Sequence, residues 1–83
     1  MKYVVHAIRD EVTQEFLAPS VSLSDERAIR DLESVVLTQK ARSEGMFFSH
    51  ASDFSLYAIG TFDSEDGVIE NCVPRLLRKV GEI

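Results

Sequence analysis

Three cations in the last ten residues, Arg75, Arg78 and Lys79, face a single carboxylate, Glu82, and give that stretch a side-chain net charge of +2. It is the densest basic cluster in the chain, and guanidinium and ammonium groups held together capture phosphate oxygens through charge-assisted hydrogen bonds. The competing role is structural, since cations near the end of a helix favour its negative terminus. Arg27 and Arg30 lie three apart in a helical pattern and can reach a phosphate backbone or a partner's carboxylate together. Asp31 follows Arg27 by four and Glu26 precedes Arg30 by four, so ion pairs within the helix compete for both. A single-stranded nucleic acid also asks for stacking surfaces. Among Tyr3, Phe47, Phe48, Phe54 and Tyr57, the ring expected at the surface is Tyr57, because strand alternation sets it opposite Leu56 and Phe62.

No set of residues points to catalysis. His6, His50 and Cys72 match neither a zinc spacing nor a Cys-His pair. Asp63, Glu65 and Asp66 precede Gly67 in a loop too short and too poor in ligands for an EF-hand, and read as a solvated turn. There is no glycine-rich phosphate loop, no Gly-x-Ser-x-Gly and no His-Glu-x-x-His. The expectation is a protein that is not an enzyme and needs no metal or cofactor.

These residues sit in a chain of 83 residues with net charge −5, 45% apolar and 28% charged. That length makes one domain, residues 1–83, and buries only about 60–65% of the unfolded chain's surface, so a dimer would relieve a marginal core. The negative charge repels nucleic acid at long range, which leaves only local contact. One cysteine excludes an intrachain disulfide and suits a reducing compartment. No apolar run is long enough to cross a bilayer, and the stretch from Met1 to His6 is too short for a signal peptide. The protein is expected to remain in the cytoplasm where it is made.

The elements that must position the candidate residues follow from pattern. Residues 3–8 are β-branched and aromatic in type and read as a strand; residues 15–23 alternate but contain Pro19, which confines them to an edge or a bulge. Ser24 caps a helix over about 25–38, with Asp25 and Glu26 at its positive end and Ala28, Ile29, Leu32, Val35 and Val36 as its apolar stripe. Residues 39–53 form a long connection with room for one helical turn. Residues 54–62 read as a central strand, and the turn at 63–67 leads into a strand over 68–73. Pro74 suits the first position of a short C-terminal helix in which Leu76, Leu77 and Val80 share a face before Gly81. The sum is an α+β domain, an antiparallel ββαββ sheet with one main helix packed on it and a short C-terminal helix.

Ala7-Ile8-Arg9-Asp10 with Phe16-Leu17-Ala18-Pro19, then Arg27-Ala28-Ile29-Arg30-Asp31-Leu32, then the run from Ser49 through Asp53-Phe54-Ser55-Leu56-Tyr57-Ala58-Ile59-Gly60-Thr61-Phe62-Asp63 with Gly67, occur in that order. Over roughly residues 5–70 the chain resembles the small non-structural protein of gokushovirus-type microviruses. It departs at His50-Ala51, where that family commonly has His-Pro, and no counterpart is recognised for Pro74–Ile83.

The resemblance implies a phage protein made in an infected bacterium and absent from the capsid. It also implies a part in single-stranded DNA synthesis, or in the switch from duplex replication to packaging, and it brings no catalytic set. The expected function is that of an accessory protein binding single-stranded DNA or the phage replication machinery through Arg75, Arg78 and Lys79, with Arg27, Arg30 and Tyr57. The alternative is a dimeric, acidic protein–protein adaptor that engages a phage or host protein without touching nucleic acid.

Overall fold

The run of β-branched and aromatic residues near the amino terminus forms strand β1, Lys2–Asp10, in the computed structural model, which describes residues 1–83. Two short strands, β2 (Glu15–Phe16) and β3 (Ser20–Ser22), lie along the same edge of β1, with Phe16 opposite Arg9 and Val21 opposite Val5. The expected edge strand is therefore present in two pieces. Pro19 sits at the break, where its missing N–H costs no ladder hydrogen bond.

Helix α1, Asp25–Arg42, begins as its sequence dictates: the Ser24 hydroxyl accepts from the Arg27 N–H at 3.1 Å, and Asp25 and Glu26 occupy the first turn. It runs past residue 38 because Gln39, Lys40, Ala41 and Arg42 are all good helix formers. It stops at Ser43, which takes a left-handed conformation with φ 51°. The connection to the next strand holds a four-residue helix, α2 (Met46–Ser49), and a 3-10 turn at Ala51–Asp53. The Gln39 side chain ties it back to α1 by accepting from the Phe47 N–H at 2.8 Å.

Strand β4, Phe54–Asp63, lies between β1 and the outermost strand β5, Ile69–Lys79, and every pairing is antiparallel. Gly67, with φ 72°, closes the hairpin between them. The fold is thus α+β, with one main helix on an antiparallel sheet.

Two local features differ from the sequence reading. Pro74 does not open a helix: the strand continues through it to Lys79, and the C-terminal helical turn starts at Val80. Gly60 pairs with Asn71 and Ala58 with Arg75, so Cys72, Val73 and Pro74 bulge opposite Ile59 alone. A bulge tolerates a residue with no N–H just as a first helical turn does. What decides is Val80, fully buried against α1 and β4, a position the chain reaches only by running extended along the sheet.

The second difference is on β4, where Val5 pairs with Gly60 but His6 with Ala58, leaving Ile59 as an extra residue. Such an insertion reverses the alternation beyond it. Phe62 consequently shares the face of Tyr57 and not that of Leu56. Gly60 is required at this point because a β-carbon there would run into the Glu70 carbonyl oxygen.

Ala28, Leu32 and Val36 of α1 bury against Phe54, Leu56 and Val80, with Ile8, Phe47 and Leu77 around them. All of this lies on one side of the sheet. The molecule measures 42 × 24 × 17 Å, the thickness of one sheet and one helix, and no element crosses the other face.

Candidate nucleic-acid interface

Register assigns side chains to the open face. Tyr3 pairs with Phe62, Ala7 with Tyr57 and Arg9 with Ser55, while on the far side of β4 Tyr57 pairs with Leu76, Ser55 with Lys79 and Phe62 with Ile69. Directly opposed residues in an antiparallel pair project to the same side. Two aromatic pairs result. Tyr3 and Phe62 have ring centroids 6.2 Å apart, and Phe16 meets Tyr57 edge-on at 5.8 Å. The two pairs are about 13 Å apart along β1, at roughly 3.3 Å per residue.

Around Tyr57 the polar groups are fixed. Its hydroxyl donates to Glu11 Oε1 at 3.1 Å, Arg9 Nη1 donates to Glu11 Oε2 at 3.2 Å, and the Arg9 guanidinium lies 5.7 Å from the centre of the Phe16 ring. Beside them a groove of about 530 Å³ opens between Tyr57, Ser52, Ser55 and Lys79, with Glu11 and Glu82 at its rim. The face is close to neutral, because most of the chain's acids lie on α1, on its flanking loops and in the turn at 63–66. It can offer flat rings and a few hydrogen-bonding groups to a planar ligand, with Lys79, which makes no ion pair, for a backbone.

The residues expected from sequence do not form one cluster. Alternation and the bulge at Leu77 put Arg75 and Arg78 on the helix side of β5 and Lys79 on the open side. Arg75 reaches the amino end of α1, where its two terminal nitrogens donate to Asp25 at 2.8 and 3.3 Å. That hydrogen-bonded pair, and the carboxylate's charge, hold the Arg75 pKa above its ordinary value. Arg78 donates to the Glu82 carbonyl at 3.1 Å and lies 3.8 Å from Glu33 and 3.9 Å from the Glu82 carboxylate. Both guanidinium groups are thus neutralised within the chain.

Arg27 pairs with Asp31 at 3.9 Å, as its spacing allows. Arg30 makes no ion pair, and both project from the exposed side of α1, in the other layer from Tyr57. Tyr57 and Lys79 alone come together. Sequence reasoning missed Arg9 and Phe16, although Arg9 continues the alternation of Tyr3, Val5 and Ala7, and it missed Phe62 because the bulge at Ile59 leaves no trace in residue type.

Residues 3–83 match the family described as Phage ORF5 protein. The chain belongs to that family. It is a bacteriophage protein, and the match takes in Pro74–Ile83, so the strand half from Pro74 to Lys79 and the Val80 plug fall within the family's extent. No curated protein matches the chain, and no solved structure does. No helix of this Phage ORF5 protein is long and apolar enough to cross a membrane.

Proposed function

We propose that this Phage ORF5 protein acts in single-stranded DNA synthesis for a gokushovirus-type microvirus, in the cytoplasm of the infected bacterium, as a non-enzymatic factor that lays single-stranded DNA across its open sheet face. The observation that carries the reading is the pair of aromatic contacts, Tyr3–Phe62 and Phe16–Tyr57, on the sheet face away from α1, where Tyr3, Tyr57 and Phe62 are half-buried and Phe16 is exposed. Bases stack on such rings whatever their sequence, and Lys79, which makes no ion pair, supplies a backbone contact at one end, while Arg9 is held by Glu11. The ordered motif from Ser49 to Asp63 supports the replication role through its resemblance to the gokushovirus non-structural protein. Arg75, Arg78, Arg27 and Arg30 have no part in this surface.

Fluorescence anisotropy of a labelled oligothymidine tests it. Saturable binding is expected, with a shallow salt dependence, a slope of log K against log salt of about −0.7 for one phosphate contact. Tyr57→Leu should weaken binding about tenfold or more, since one base stack is worth about 1–3 kcal/mol. A combined Arg75→Ala/Arg78→Ala variant should bind as the parent does. A second reading, an acidic protein–protein adaptor, is favoured by the two neutralised arginines and the net charge of −5. Absence of binding at micromolar protein would leave that one.

A further inference from the structure

β5 is the outermost strand of the sheet, and its outward backbone groups have no partner in the chain. It is eleven residues long and exposed from Ile69 to Leu76, with Ile69 at 67%, Val73 at 87% and Leu76 at 46% exposure. A long free edge carrying apolar side chains is a template for another strand. The opposite edge is different, because the two short pieces β2 and β3, separated by Pro19, already blunt it.

We propose that β5 pairs with β5 of a second copy, antiparallel about a two-fold axis, in the register that sets Glu70 of each copy opposite Arg75 of the other. The faces of the strand select this register. Ile69, Asn71 and Leu76 belong to the open face through Phe62, Gly60 and Tyr57, while Glu70 and Arg75 belong to the helix side through Thr61 and Ala58. Two-fold pairing must oppose like faces, and a shift of one residue sets unlike faces against each other.

The chosen register meets that condition and also matches chemistry: Ile69 faces Leu76 and Glu70 faces Arg75, each twice by symmetry. A shift of two residues either way loses the ion pair. Glu70 has no ion pair in its own chain, and a guanidinium has five N–H donors, of which Arg75 gives two to Asp25. The second carboxylate therefore has donors to receive it. Pro74 lies in the central bulge, between the two matched segments, and the axis falls between Cys72 and Val73. The pairing joins two sheets edge to edge and sets their open faces side by side, and it stands independently of the DNA reading.

Sedimentation velocity from micromolar to millimolar protein, combined with a short bismaleimide cross-linker, tests it. A concentration-dependent dimer is expected, coupled through Cys72, the one thiol in the chain. Glu70→Arg should weaken it about tenfold, and Glu70→Arg/Arg75→Glu should restore it. Because the carboxylate that this double variant introduces at position 75 would face Asp25, a second exchange at exposed positions serves as a check: Ile69→Lys should weaken the dimer and Ile69→Lys/Leu76→Glu should recover it. A monomer at all concentrations, or a dimer indifferent to Glu70→Arg and Ile69→Lys, would overturn the proposal.

Discussion

Val80→Ala separates the structure from the C-terminal helix for which Pro74 is suited. In such a helix, Leu76, Leu77 and Val80 would share one buried face and their truncations would cost similar amounts. In the structure Val80 is fully buried among Ala28, Leu32, Val36, Phe54 and Leu56, whereas Leu76 is 46% exposed on the open face. Removing two methyl-sized groups from the Val80 site forfeits about 1.6 kcal/mol of transfer free energy. The cavity between α1 and β4 adds to that, for a total of about 2–3 kcal/mol. In a chain of 83 residues each kcal/mol lowers the melting temperature by about 4–8 °C, so Val80→Ala should melt roughly 10–20 °C below the parent. Leu76→Ala should stay within about 5 °C. Thermal unfolding followed by circular dichroism reads both. Equal losses from the two truncations would refute the placement of Val80 as the plug of the core and return the tail to a helix.

Gly60→Ala should destabilise by about 1–3 kcal/mol or unfold the domain, because the new methyl meets the Glu70 carbonyl where the two bulges adjoin; urea unfolding measures it, and a neutral result would remove the close approach. His6 lies partly buried beneath α1, with its Nε2 2.7 Å from the Ser22 hydroxyl, and desolvation lowers its pKa below 6.5 despite the opposing pull of Asp31. The unfolded chain then takes up the proton more readily than the folded one, so this contribution is constant above pH 6.5 and stability falls as pH drops from there through the folded value. Melting curves between about pH 8 and pH 5 should show a steeper loss for the parent than for His6→Gln, and parallel curves would contradict it.

The elements written in local chemistry were legible. Ser24 with Asp25 and Glu26 marks the start of α1, Ala28, Leu32 and Val36 mark its buried stripe, and the Asp-Gly at 66–67 marks the hairpin. Elements decided by distant contacts were not. Pro74 is equally at home in a first helical turn or a bulge, and only the docking of Val80 chooses between them. The bulge at Ile59 depends on how β1 and β5 both meet β4, so the face of Phe62 could not be read from β4 alone. Within the candidate surface, Tyr57 is the ring that alternation sets away from Leu56, whereas Lys79 entered the sequence reading only as part of the basic cluster with Arg75 and Arg78. Arg75, Arg78 and Lys79 were grouped because they are dense in sequence, whereas a strand with a bulge at Leu77 divides them between its two sides.

The interruption at Pro19 has a further effect on how these molecules can accumulate. A sheet with two open margins can add neighbours without end, which leads to filaments. Here one margin is cut into fragments too short to receive a newcomer, so the β5 pairing proposed above would leave no second edge from which to grow and would stop after one addition. A sheet finished in this way on one side resists extension into fibres even where its molecules are crowded.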